Sequence, residues 1–323
     1  VWERLAPVLF LGAVALLLAV FVPGLGREVN GSTRWLSLGG INIQVSEPAR
    51  LMVLMYISSY AVRHRDNFAA SLKTFLQPMV LVGVVCGLLL AEPDFGATFV
   101  ILLISMSVLF VAGAPIRYFI GLCLFVMAGL MALAVSAPYR LARLTGFTNP
   151  WDDPFGSGFQ LTQSLIAIRS GELFCAGLGN SVQKLFYLPE AHTDFVFAVF
   201  AEEFGLAGTI ILIGLFSVLV WRAFTIAMDA AARDRYYQAY LAFGIAVWQG
   251  AQVFINLGVN MGILPTKGLT LPLISYGRSS LIITLAALAL LLRIDMETRG
   301  VVTSKGSRGK AGKRKPAAGK KRK

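Results

Sequence analysis

Residues 75–114 read FLQPMVLVGVVCGLLLAEPDFGATFVILLISMSVLFVAGA. Two apolar runs, Phe75–Leu90 and Phe95–Ala114, flank the turn Glu92-Pro93-Asp94, whose two acids are the only Asp, Glu, Lys or Arg in the stretch. A helix that crosses a bilayer needs about 20 mostly apolar residues. Lipid holds no water to hydrogen-bond an open backbone, so such runs close their amide and carbonyl groups within helices. A three-residue polar turn between them sends the chain out and straight back. The stretch predicts a membrane helical hairpin and, with it, an all-α polytopic bundle.

Composition agrees. The chain has 323 residues, 56% of them hydrophobic and 14% charged, with a mean hydropathy of +0.70. Soluble domains carry about 25% charged residues, so this chain cannot cover itself with polar surface in water. Six further apolar segments are long enough to span, at Leu5–Val22, Val45–Val62, Tyr118–Tyr139, Phe195–Val220, Ala239–Leu264 and Leu269–Leu292. Eight spans put both termini on one side, and positive charge decides which. With the termini inside, the inner segments hold 20 Lys and Arg and the outer segments 8, so both ends are expected in the cytoplasm.

The net charge of +12 does not point to nucleic acid. Ten of the basic residues lie in residues 301–323, which contain no acid, and only +2 remains for the rest. Residues 1–299 are expected to form one membrane domain, and 300–323 a disordered basic cytoplasmic tail beside membrane lipid headgroups. Cys86, Cys123 and Cys175 have neither metal-ligand spacing nor the pattern of a disulfide framework. The chain begins Val1-Trp2-Glu3-Arg4, without Met or signal peptide, and reads as cut short at its N-terminus.

The outer side receives one long segment, 140–194, rich in Gly, Pro, Asp and Gln but carrying Phe155, Phe159, Leu165, Ile168, Phe174, Phe186 and Tyr187. It is expected to be an ordered lid with a short amphipathic helix near Gln160–Arg169. Ionisable residues inside spans are functional candidates by default. Glu47 and Arg50 stand three apart on the second span and can pair, as a structural ion pair or as part of a site. Glu202 and Glu203 lie early in the sixth span, one expected to face a polar cavity. Lys267 sits in the Pro/Gly-interrupted stretch Leu264-Pro265-Thr266-Lys267-Gly268 and reads either as part of a broken helix of the kind that lines sites or as an ordinary interfacial anchor. The richest cluster is Leu188-Pro189-Glu190-Ala191-His192-Thr193-Asp194-Phe195. Asp194 is the last ionisable group before an apolar run; it reads either as a helix N-cap or as a base of raised pKa. His192 reads as a proton acceptor or a loop residue. With two histidines in the chain and no second ligand nearby, no transition-metal site is expected.

Several of these stretches together resemble the SEDS family (FtsW, RodA and SpoVE types). They are Gly31-Ser32-Thr33-Arg34-Trp35, Gln44-Val45-Ser46-Glu47, Glu92-Pro93-Asp94-Phe95-Gly96, Asn149-Pro150-Trp151-Asp152-Asp153-Pro154 and Gly158–Leu165. Gly177–Ser181, the 188–195 cluster, Leu264–Pro272 and Ile274-Ser275-Tyr276-Gly277 continue the match in order. The run Asn180–Lys184 and Pro189–His192 are closer to the FtsW branch than to the RodA branch. The family has ten spans, so the resemblance implies that the first two are absent. It departs at Val45 (usually Pro), Arg50 (usually Lys) and Arg278 (usually a second Gly). Arginine cannot cheaply replace a glycine in a tight turn, so Arg278 is expected to lower activity.

The resemblance implies a peptidoglycan glycosyltransferase that polymerises lipid II at the division septum, on the outer, periplasmic face of the cytoplasmic (inner) membrane. It implies catalytic roles for Asp194, as general base, and for Arg34 and Trp35. Substrate-binding candidates are Glu47, Arg50, Arg140, Gln163, Lys184, His192, Lys267 and Ser275. No protein metal site is expected; a divalent cation, Mg or Mn, is the one cofactor candidate, to share the charge of the departing diphosphate. Implied partners are a class B penicillin-binding transpeptidase and other divisome membrane proteins. A lipid II flippase is the competing reading, and a scaffold that only recruits division partners is a third. A flippase needs a polar path through the bilayer, whereas Glu47, Arg50, Asp194, Glu202 and Lys267 all fall toward the outer half.

Overall fold

The computed structural model describes residues 2–29, 32–38, 41–68, 71–135, 149–154, 156, 158–173, 177–184, 188–265 and 268–300. Among them the apolar segments are helical: α1 Trp2–Ala19, α2 Ser46–Arg63, α3 Leu72–Ala91, α4 Phe95–Val111, α5 Ile116–Val135, α7 Val196–Ala231, α8 Tyr236–Asn260 and α9 Arg278–Thr298. The short helix expected near 160–169 is α6, Phe159–Ser170. Five helices, α1, α3, α7, α8 and α9, are long and apolar enough to cross a membrane, and α4 is a shorter apolar helix. Residues 136–139 of the fifth expected span, Arg140, Cys175, Thr266, Lys267 and the tail from 301 lie outside the described residues.

The hairpin at Glu92-Pro93-Asp94 is present. α3 ends at Ala91, and Asp94 starts α4 by accepting the Ala97 amide on Oδ1 at 3.0 Å. Such a cap satisfies one of the amides that a helix start leaves open. α2 is the centre of the bundle, packing against α1, α3, α4, α8 and α9. It carries Ser46, Glu47, Arg50, Ser58 and Ser59 in buried positions beside Val53, Leu54 and Ile57. A helix with polar groups sheltered on most sides is a poor hydropathy signal and an ordinary bundle core.

Three elements differ from the sequence expectation. First, three strands lie in a region expected as loop and form a small antiparallel sheet in the order β1 Gly26–Val29, β2 Ser32–Leu38, β3 Ile41–Gln44. Trp35 lies opposite Gln44 and Leu36 opposite Ile43. The strict alternation Ile41-Asn42-Ile43-Gln44-Val45 is the period-two signal of a strand, hidden beside the stronger helical runs. Second, α7 runs to Ala231, well past Val220, and is broken at Gly205, which adopts φ 64° and ψ −165°. Only glycine enters that region without strain. The Leu206 amide freed by the break donates to Glu172 O at 3.0 Å. Third, the last helix starts at Arg278, not Leu269. Residues 268–277 are turns and extended chain, and their carbonyls are held by side chains of α8 instead of a helical ladder. In that segment the positive φ, 66°, belongs to Leu273. Arg278 is helical, so the steric cost expected for arginine there does not arise.

Candidate functional site

Chain reversal places the C-terminal ends of α1, α3 and α8 and the N-terminal ends of α2, α4, α7 and α9 at one end of the bundle, with the sheet and α6. Asp194 is at this end, two residues before α7. The residue capping α7 is Phe195, and no side chain caps the helix there. The carboxylate of Asp194 is therefore not an N-cap. What holds this residue is its backbone: Asp194 O accepts from Asn256 Nδ2 at 2.9 Å and from Asn260 Nδ2 at 3.1 Å. The neighbouring carbonyls are tied as well. Ser275 Oγ donates to Thr193 O at 2.5 Å, and the Tyr276 amide donates to His192 O at 2.8 Å.

The carboxylate itself lies against Gly268. A Cβ built on that glycine would come to 2.5 Å from Asp194 Oδ2. Burial, with the Glu190 carboxylate nearby, pushes Asp194 up to about 6, against a smaller opposing pull from Arg34. A carboxyl taken from water disfavours its charged form, which is why burial is the larger cause. Glu190 in turn accepts from Thr193 Oγ1 at 2.6 Å.

Arg34, on β2, reaches the α3–α4 turn. Its Nε donates to Glu92 O at 3.0 Å and its Nη2 to Pro93 O at 2.8 Å. The direction of the guanidinium is thus set by neutral carbonyls. Below it Glu92 is wholly buried, and neither carboxylate oxygen has a hydrogen-bond partner. Burial, reinforced by Asp94 and opposed by Arg34, pushes Glu92 up to about 8, so at neutral pH it is mostly the uncharged acid. Trp35 follows Arg34 on the opposite face of the strand and is half-buried.

Glu47 and Arg50 do pair, at 3.4 Å, and both are sealed, their side chains 5% and 1% exposed. Arg50 Nη1 also donates to Gln252 Oε1 at 3.1 Å and its guanidinium lies 5.2 Å from the Trp248 ring centroid. A charge this deep needs such partners. The pair is part of the bundle's interior. Lys184 pairs with Glu203 at 2.7 Å. Gln163 is half-buried on α6, and His192 is exposed. Ser275 is buried, its oxygen also accepting the Leu271 amide at 2.7 Å, so its hydroxyl is engaged on both sides. Arg140 and Lys267 lie outside the described residues.

The sequence places one of Glu202 and Glu203 at a polar cavity; in the structure both are anchors for the long outer segment. Glu202, 3% exposed, accepts from Ser181 Oγ at 2.5 Å and from the Val182 amide at 3.1 Å. Removing a buried acceptor leaves its donors unsatisfied, at about 1–3 kcal/mol. Glu202→Ala is therefore expected to lower the thermal midpoint and to speed proteolytic cleavage near residues 178–184. Limited proteolysis of the detergent-solubilised protein checks this; an unchanged cleavage rate would remove the anchor.

The residues missed from sequence are Gln252, Asn256 and Asn260, all buried on α8. Their spacing of four places them on one stripe of a span, and polar amides inside an apolar run are a signal in their own right.

Fold and site together define a polytopic helical membrane protein with a half-buried acid at one end of the bundle. The chain belongs to the cell cycle protein family of FtsW, RodA and SpoVE, whose sequence model matches residues 1–300. It is similar to the probable peptidoglycan glycosyltransferase FtsW of Legionella pneumophila, at 53% identity over 92% of this chain and 76% of that one. The protein of the same name from Coxiella burnetii is 53% identical, over 92% and 80% of the two chains. Among solved structures, one on the structural coordination of polymerization and crosslinking by a peptidoglycan synthase complex matches with a TM-score of 0.75 at 34% identity, covering 92% of this chain and 82% of that one. The rod shape determining protein RodA of Thermus thermophilus matches with a TM-score of 0.65 at 34% identity, covering 92% and 79%.

Proposed function

We propose that this chain is a peptidoglycan glycosyltransferase that joins lipid II disaccharides into glycan strands, with Asp194 as the general base. The observation that carries the reading is the state of Asp194. Its backbone is held by two buried amides while its carboxylate caps nothing and lies within the field of Arg34. In the reaction the acceptor's sugar hydroxyl attacks the anomeric carbon of the donor. The bond from that carbon to the undecaprenyl diphosphate breaks, and the hydroxyl proton passes to Asp194. A base held near pKa 6 is ionised at pH 7 yet close enough to it to accept a proton effectively. Charge builds on the departing diphosphate, where a directed cation stabilises it. Arg34 is such a cation, and Trp35 offers an aromatic face beside it. Glu47 and Arg50 act from behind, through Gln252. Gln163, Lys184 and His192 frame the approach from the outer segment, and Ser275 holds the Thr193 carbonyl from the 268–277 side.

Among the described residues no three His, Cys, Asp or Glu side chains converge as a metal cage. A divalent cation, Mg or Mn, is proposed as a companion of the substrate diphosphate, where it would share the charge that builds on departure. The names of the relatives do not favour the flippase reading. Partnership with a class B transpeptidase, placement in the inner membrane at the septum, and a periplasmic site follow from the same reading. Formation of glycan strands from labelled lipid II by the purified protein with its transpeptidase tests the activity; transport without polymer would favour the flippase.

Topology has its own test. In a background without native cysteines, Asn180→Cys is expected to react with an impermeant maleimide from outside, and Arg65→Cys and Arg233→Cys only after the membrane is opened. Outside labelling at position 65 would reverse the orientation.

A further inference from the structure

We propose that Asn256 is a positioning residue for Asp194, setting where the carboxylate stands relative to Gly268. The inference rests on Asp194 being the base. Asn256 is 1% exposed on α8. One amide nitrogen holds two strands of chain at once: it donates to Asp194 O at 2.9 Å and to Leu269 O at 2.6 Å. Leu269 follows the glycine against which the Asp194 carboxylate lies. The side chain therefore fixes the distance between the acid's backbone and the surface beneath its carboxylate. Neither the α7 start nor the 268–277 segment has a helical ladder there to do the same.

Asn260, one turn further on, has a different task. It accepts the Ala198 amide on Oδ1 at 3.2 Å, supplying from α8 the cap that α7 lacks, and its second contact to Asp194 O is at 3.1 Å. With Asn260 in place, loss of Asn256 leaves α7 anchored and Asp194 O with one donor. What is lost is the link to Leu269. The expected result is a base out of register in a folded protein.

Asn256→Leu keeps the shape and removes both donated hydrogen bonds, together with the long 3.4 Å one that Asn256 Oδ1 accepts from Asn260 Nδ2. A displacement on the order of 1 Å costs up to about 100-fold, so kcat for lipid II polymerisation is expected to fall roughly 10- to 100-fold. KM should stay within about threefold, because the residue touches no substrate. As the carboxylate relaxes into water, away from Gly268, its pKa falls, and the acid limb of the pH profile moves to lower pH. Glu190 and Arg34, the other charges felt by Asp194, are left in place.

The control is Gln249→Leu on the same helix. Gln249 is 1% exposed, and its amide oxygen and nitrogen have no hydrogen-bond partner. That variant should match the parent. If Asn256→Leu does not insert in the membrane, Asn256→Ser keeps one donor and should show a smaller fall with the same movement of the acid limb. Unchanged kcat, or a fall with the acid limb unmoved, would overturn the proposal. Asp194→Asn is measured alongside: normal activity there sinks the base itself, whereas an inactive Asp194→Asn beside a normal Asn256→Leu sinks only the positioning role.

Discussion

Asp194→Asn is expected to abolish glycan synthesis while the protein folds and inserts as the parent does. The carboxamide has almost the same shape and keeps the backbone contacts to Asn256 and Asn260, which involve only the carbonyl of residue 194. It cannot accept the hydroxyl proton. A positioned general base contributes about 10²–10⁴-fold, the size of the expected loss. Stability should not suffer, since burial opposes the charged form of this carboxyl, and an amide has no charge to desolvate. The parent should show the matching pH signature. Asp194 is raised to about 6, so it is protonated and unable to act as base below that pH. The rate therefore climbs as pH rises through about 6, where an unperturbed carboxylate would already be ionised near 4. Polymerisation of labelled lipid II across pH 4.5–8, with a thermal midpoint for each variant, makes the check. Near-parent activity in the asparagine variant would remove the base assignment.

Gly268→Ala should give nearly as large a loss from a residue with no chemistry of its own. The added Cβ meets Asp194 Oδ2 at 2.5 Å and Oδ1 at 3.6 Å. Something must move, and the end of a short side chain moves more easily than backbone tied to α8. The carboxylate rotates, and the chain stays folded. Misplacing a reacting group costs on the order of 100-fold, so kcat should fall by about that factor. The Tm of the variant is expected to remain close to the parent's. A fall in Tm with parallel loss of KM and kcat would instead show that the backbone had given way.

The two variants separate what could be read along the chain from what could not. Asp194 was visible because it is the last ionisable residue before an apolar run. Its role was not, because a helix start explains an aspartate equally well. The cap at Phe195 removes the N-cap reading, and the asparagine amides that hold the carbonyl of residue 194 come from positions 62 and 66 residues away. Glu47 and Arg50 were legible as a pair through their spacing, but their burial beneath Trp248 and Gln252 was not. Gly268 was visible only as part of a Pro/Gly break.

The sequence by itself determined that the chain is a membrane helical bundle, the course of most of its helices, and their reversal at Glu92-Pro93-Asp94. Lipid leaves an apolar run of that length no alternative to a closed helical ladder, so hydropathy alone suffices. Tertiary structure decided the rest: the sheet that carries Arg34 to the α3–α4 turn, the extended 268–277 segment, and the capture of residues 181–184 by Glu202 and Glu203. Most of these are bonds between side chains and distant backbone, satisfying polar groups that a local ladder has left open; Ser181 and Lys184 are held side chain to side chain. No local pattern encodes such a bond, because either partner alone is an ordinary polar residue. Only the packed bundle, which brings α8 against residues 194 and 269, chooses which carbonyl each amide will hold.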